Sequence, residues 1–180
     1  MTFMILRPSD APASRNNVRR AIVAICLLLL TSCITSGANL CAEDLQAVSL
    51  PDTSGRMLAL SACRGKVMLL DIFVTWSLAS EAAIPGYSAL YLKYHSRGLC
   101  MIGIALDDLG SKVVVPFAAG MEIPYPVLLA NERVKDGSSP LGKLTVTPLL
   151  LLFDKSGRLM KVLAGYVDPR ALEKLVTQLL

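Results

Sequence analysis

The stretch that decides the fold is Phe73-Val74-Thr75-Trp76-Ser77-Leu78-Ala79-Ser80-Glu81. It stands at the end of an apolar run, Val67 to Val74, that reads as a buried strand. Near-continuous apolar character over that length suits a strand covered on both faces of its sheet. The run feeds a tryptophan and then a helix opening, expected from about Ser77 to Ser96 and ended by Gly98. Ala83, Tyr87, Leu90, Tyr91 and Tyr94 recur along it at helical spacing, and Pro85 inside it is expected to bend its first turns. Ser77 and Ser80, three apart, fall in the opening turn.

Working outward, Val48–Leu50 and Met57–Leu60 flank the turn-forming Pro51-Asp52-Thr53-Ser54-Gly55 and read as a short hairpin. Leu99 to Leu106 is a second buried strand, followed by a helix near Ser111–Ala119 that Gly120 ends. Val127–Leu129 is a short strand, and 131–139 reads as a polar loop. Leu149–Phe153 and Leu159–Leu163 are joined by Asp154-Lys155-Ser156-Gly157, a hairpin signal. Asp168 and Pro169 suit the N-cap and first position of a closing helix. The order β-hairpin, βαβ, α, β, ββα predicts an α/β fold around a mixed central sheet flanked by helices.

Residues 1–32 read as a secretory signal of lipoprotein type. Arg15, Arg19 and Arg20 precede the apolar run Ala21–Leu30, which is too short to span a bilayer and ends in Leu30-Thr31-Ser32-Cys33. That ending resembles a bacterial lipobox, in which Cys33 would be lipidated. An ordinary cleavage beside Cys33, or one near Ala42, stays open. Residues 33–46 read as a tether and 47–180 as the domain. The leader carries four Arg and one Asp, so without it the formal charge falls from +4 to +1. Nucleic-acid binding therefore has no electrostatic support.

Of five cysteines, Cys26 would leave with the leader and Cys33 would carry lipid. Cys41, Cys63 and Cys100 remain, and none forms Cys-x-x-Cys. Cys41 with Cys63 is an open pairing; Cys100, heading an apolar strand, reads as a buried small hydrophobe. One histidine, His95, reads as a solvated surface residue, so no metal, haem or other cofactor is expected. Asp107-Asp108 reads as a strand-end cap.

In this order and spacing, several motifs resemble those of thioredoxin-like proteins of the TlpA/ResA envelope type. They are Leu60-Ser61-Ala62-Cys63-Arg64-Gly65-Lys66-Val67, Thr75-Trp76, Glu81-Ala82-Ala83-Ile84-Pro85, Gly103-Ile104-Ala105-Leu106-Asp107, Pro124-Tyr125-Pro126-Val127-Leu128, and Thr147-Pro148 before Phe153-Asp154-Lys155-Ser156-Gly157-Arg158. The resemblance covers about Val48 to Leu180. It implies a thioredoxin-like fold and thiol–disulfide exchange by two cysteines at the helix N-terminus, where a thiolate is favoured. Those roles fall on Ser77 and Ser80. A serine hydroxyl is hardly ionised near neutral pH and forms no disulfide, so exchange at these positions is expected to be lost.

The resemblance also makes Trp76 the active-site tryptophan, against a plain core aromatic. It makes Asp71 the buried acid that serves the resolving thiol, here either a relic or a partner of Ser80. It makes Pro148 a cis-proline that, with Thr147, lines a groove for extended substrate; Leu149 departs from the threonine common after that proline. Thr75 without a following cysteine does not support a peroxidase, and Ser77 has no nearby histidine to make it a hydrolase nucleophile. Three readings follow. The first is a redox-inactive envelope lipoprotein that binds extended polypeptide segments or envelope proteins. The second is an oxidoreductase working through Cys41, Cys63 or Cys100. The third is a structural module whose chief role is its membrane anchor.

Overall fold

The computed structural model describes residues 45 and 47–180. The expected leader, Cys33, Cys41 and the tether up to position 44 lie outside the described residues. Leu45 was expected in the tether, yet it is buried against the core and its carbonyl accepts the Val48 N–H at 3.0 Å. An apolar residue beside an uncovered sheet face gains more by packing than by staying in solvent.

The first elements are the strands β1 (Ser49–Pro51) and β2 (Met57–Ala59), paired antiparallel as expected. A 3-10 turn, Leu60–Cys63, leads to β3 (Val67–Phe73), whose seven residues are all buried. Helix α1 (Leu78–Tyr94) follows, then β4 (Leu99–Ala105), helix α2 (Ser111–Gly120) and β5 (Val127–Leu129). After them come helix α3 (Glu132–Lys135), β6 (Leu149–Phe153), β7 (Leu159–Ala164) and helix α4 (Pro169–Thr177).

Five strands form one mixed sheet in the order β5-β4-β3-β6-β7. β3 pairs parallel with β4 and antiparallel with β6, which makes it the central strand. Its central place explains its nearly unbroken apolar sequence, because neither face meets water.

Alternation along β3 sends Val67 and Leu69 to one face and Met68, Leu70 and Ile72 to the other. The first face packs on α1 and α4 through Tyr87, Leu90, Tyr94, Leu172 and Val176. The second is covered by Leu45, Val48, Leu50, Leu60, Cys63 and Val134, from the hairpin region and α3. Phe73 and Val127 pack with Val114 of α2. The hairpin is tied to the sheet edge by the Thr53 N–H to the Val127 carbonyl at 3.2 Å and by an antiparallel bridge between Asp52 and Leu128.

Helix α1 crosses α4 closely at Gly86, where a Cβ would lie 2.2 Å from Pro169 Cγ. Only glycine permits that approach. Asp168 caps α4 as expected, accepting the N–H groups of Arg170 and Ala171. The stretch read as a polar loop holds one helical turn, α3. Asn131 caps it by accepting the Val134 N–H at 3.1 Å, and Val134 is buried. One turn inside a polar segment leaves no periodic signal to detect.

Candidate functional site

The junction of β3 and α1 is built from the backbone outward. The chain leaves the sheet at Val74, still buried, and turns through Thr75 and Trp76 into the N-terminus of α1. Ser77 is the N-cap: its Oγ accepts the Ser80 N–H at 3.3 Å, and its carbonyl accepts the Glu81 N–H at 3.0 Å. Such a cap satisfies donors that the first helical turn otherwise leaves open. The hydroxyl of Ser77 is thus engaged in helix capping.

Ser80 is different. It is 1 % exposed, and among the described residues its hydroxyl has no hydrogen-bond partner. The expected alternative of a bond between Ser80 and Asp71 is not formed. Asp71 shares the parity of Val67 and Leu69, which directs it toward the α1 side of the sheet, and it accepts a hydrogen bond from the Tyr125 hydroxyl at 3.1 Å. Tyr125 was not singled out from the sequence. The signal that points to it is the buried acid itself, which requires a donor from somewhere on its face of the sheet. Burial raises the Asp71 carboxyl to about 7, partly opposed by the Tyr125 hydrogen bond. Burial and the neighbouring Asp71 charge push the Tyr125 phenol up as well.

Thr75 is held by a second acid. Both carboxylate oxygens of Asp107 stand 3.1 Å from the Thr75 N–H, and Oδ1 accepts the Thr75 hydroxyl at 2.6 Å. Asp107 follows β4, so the parallel pairing of Phe73 with Ala105 brings it beside the end of β3. Its role as an end-of-strand clamp extends the expected cap across two strands.

Opposite this junction, Thr147–Pro148 is a cis peptide, as the resemblance implied. Antiparallel pairing of Ile72 with Leu149 puts it at the same end of the sheet as Trp76 and Ser77. The Gly165 N–H donates to the Pro148 carbonyl at 2.8 Å, which anchors the start of the segment holding Tyr166 to that end.

Trp76 is 79 % exposed and Leu78 81 %, so Trp76 is not a core aromatic. Leu109, Val146 and Tyr166 are also exposed and issue from loops at this same end of the sheet. Five large apolar side chains are thus exposed at this end of the sheet. Large apolar side chains exposed at one end of a fold are candidates for a contact surface.

The remaining cysteines correct two expectations. Cys63, at the end of the 3-10 turn, is disulfide-bonded to Cys100 near the start of β4, with Cα atoms 5.5 Å apart. Cys63 is therefore not available to Cys41, and Cys100 is no free buried thiol; it remains partly exposed. The pairing follows from the register of Met68 with Cys100, which carries Cys100 to the end of the sheet where the 3-10 turn lies. This is the end opposite Ser77 and Ser80. His95 is exposed, and its Nδ1 lies 3.2 Å from the Tyr91 carbonyl and 3.1 Å from that of Leu92. Among the described residues no cluster of three or more metal-ligating side chains occurs.

No family model matches the chain. It is 27 % identical over 124 residues to the thiol-disulfide oxidoreductase ResA of Bacillus cereus, a match covering 68 % of each chain. It is 29 % identical over 161 residues to the protein DipZ of Mycobacterium bovis, covering 84 % of this chain but 23 % of DipZ. Among solved structures it resembles a thioredoxin-family thiol:disulfide interchange protein of Chlorobium tepidum, with a TM-score of 0.65, 23 % identity and coverage of 73 % of this chain and 92 % of that one. It also resembles a secreted disulfide oxidoreductase of Mycobacterium tuberculosis homologous to DsbE, with a TM-score of 0.66, 16 % identity and coverage of 76 % and 98 %. The chain therefore has the thioredoxin-like fold, and its sequence relatives include the thiol-disulfide oxidoreductase ResA and the protein DipZ.

Proposed function

We propose that the end of the sheet bearing Trp76 and Pro148 binds extended polypeptide segments, and that dithiol exchange does not take place there. The observation that carries this reading is the pairing of two features. Ser77 and Ser80 occupy the opening turn of α1, one capping the helix and the other buried. Around them stand the exposed Trp76, Leu78, Leu109, Val146 and Tyr166. A hydroxyl that is un-ionised at neutral pH offers neither a nucleophilic thiolate nor a leaving group for exchange. An apolar rim beside an extended cis-proline segment still suits a bound peptide, whose side chains it would remove from water.

The surrounding role follows from the leader. In this reading residues 1–32 direct export, Cys33 carries the lipid, and the domain works on the outer side of a bacterial membrane as a holdase or assembly adaptor.

Trp76 is the only tryptophan of the chain, so its fluorescence reports on this surface without interference. Titration of the full chain with a tryptophan-free unfolded polypeptide, reduced and carboxymethylated ribonuclease A, is expected to give a saturable blue shift. Leu78→Asp is expected to abolish the shift while leaving the circular dichroism unchanged. An unshifted Trp76 emission at saturating polypeptide would overturn the reading.

A further inference from the structure

The Cys63–Cys100 disulfide lies far from the rim just described, and its two sulfurs face different surroundings. Cys63 is 3 % exposed, whereas Cys100 is partly exposed. Cys100 lines an open groove of about 180 Å³ together with Lys66, Tyr91, His95 and Pro126. Cys63 lines a separate cavity with Arg64, Lys66 and Lys155, where the acid is Asp154. Asp154 is already engaged: it accepts from Ser156 and from the backbone and side chain of Arg158. Cys63 itself packs with Leu45, Leu60 and Met68, and Lys66 lines both the groove and the cavity.

Disulfide exchange requires an approachable sulfur to be attacked and a leaving sulfur that is stable as thiolate. Cys100 satisfies the first requirement through its groove. Cys63 is the leaving sulfur, on the side of a cavity that Lys66 and Lys155 also line, and a cation brought to it there favours the thiolate.

We propose that Cys63–Cys100 is an exchangeable disulfide, attacked at Cys100 Sγ by a thiol entering the groove between Lys66, Tyr91 and His95. In the first step the incoming thiolate forms a mixed disulfide with Cys100, the Cys63–Cys100 bond breaks, and Cys63 leaves as a thiolate that takes a proton from solvent. In the second step another thiol of the same donor, or of a second donor molecule, attacks the donor sulfur of the mixed disulfide and releases Cys100, which is protonated in turn. Two electrons pass from the donor thiols to the cysteine pair; the donor is oxidised to a disulfide and the protein is reduced. A groove of about 180 Å³ has room for a small thiol. This chemistry is independent of Ser77, Ser80 and the Trp76 surface.

The test uses glutathione as the probe on the full chain, with rapid alkylation and peptide mass spectrometry to read Cys63 and Cys100 separately. In native buffer the wild-type pair is expected to open under reduced glutathione with the circular dichroism unchanged, and the transient adduct is expected on Cys100. With oxidised glutathione, where the free protein thiolate attacks a glutathione sulfur, Cys63→Ser is expected to accumulate an adduct at Cys100 about tenfold faster than Cys100→Ser does at Cys63, because Cys100 opens on the groove and Cys63 is buried. Lys66→Gln is expected to slow opening of the wild-type pair. A pair that stays bonded until denaturant unfolds the chain would overturn the proposal, as would an adduct that forms on Cys63 as fast as on Cys100. Should either cysteine variant fail to fold, the wild-type experiment decides alone.

Discussion

Asp107 clamps Thr75: its carboxylate receives the Thr75 hydroxyl at 2.6 Å and the Thr75 N–H at 3.1 Å. The bond joins the loops after two adjacent parallel strands, so it fixes where the chain leaves the sheet before α1 begins. Trp76 and Ser77 take their positions from it.

Asp107→Ala is expected to cost about 1–3 kcal/mol, because it leaves the Thr75 N–H and hydroxyl without their shared acceptor. Thr75→Val, which retains the N–H bond, is expected to cost less. Urea unfolding of both variants measures the difference, and midpoints equal to wild type in both would show that the clamp does not hold the loop.

Ser80 makes the opposite prediction. Its hydroxyl is buried without a partner, a situation that costs about 1–3 kcal/mol relative to a satisfied group. Ser80→Ala removes the unpaired polar atom for the loss of one small oxygen. The variant is expected to match or exceed wild type in urea midpoint, and a clear loss of stability would mean that the hydroxyl is bonded in solution.

Asp71 couples stability to pH. Its folded-state value near 7 lies above the ordinary 3.8, so between those values the folded chain holds a proton that the unfolded chain has released. Stability from this group is complete below about pH 4 and declines as pH rises toward 7, by up to about 4 kcal/mol for a shift of this size. Asp71→Asn keeps an acceptor for Tyr125 and is expected to flatten the profile between pH 4 and 8. A wild-type chain that gains stability from pH 5 to 7.5, with the same slope in Asp71→Asn, would contradict the assignment.

Much of the fold was legible in the sequence because its central elements carry long, one-sided signals. β3 and β4 are long apolar runs, broken in β3 only by Asp71, each preceded by a glycine-containing turn, and α4 opens on an aspartate and a proline in capping positions. The features that escaped depend on register instead of local pattern. The Cys63–Cys100 bond joins residues 37 apart, and Tyr125 reaches Asp71 across 54 positions. Neither follows until Met68 is paired with Cys100 and Gly103 with both Asp71 and Val127. The apolar rim shows the same limit: Leu78, Leu109 and Tyr166 are ordinary residues of separate segments, gathered by the loops that the strand order brings to one end.

In the proposed reading, this end of the molecule keeps a thioredoxin-like frame in which Ser77 and Ser80 stand where exchange cysteines would act. The direct test installs them. Dithiothreitol-driven insulin reduction is measured for the full-length wild type, for Ser77→Ala/Ser80→Ala, and for Ser77→Cys/Ser80→Cys. The wild type and the alanine variant are expected to give the same rate, because neither serine contributes to exchange. The cysteine variant is expected to exceed both by at least about tenfold, since a thiol at a helix N-terminus is activated as a thiolate. A folded cysteine variant no faster than wild type, or a wild-type rate lost in the alanine variant, would contradict the account.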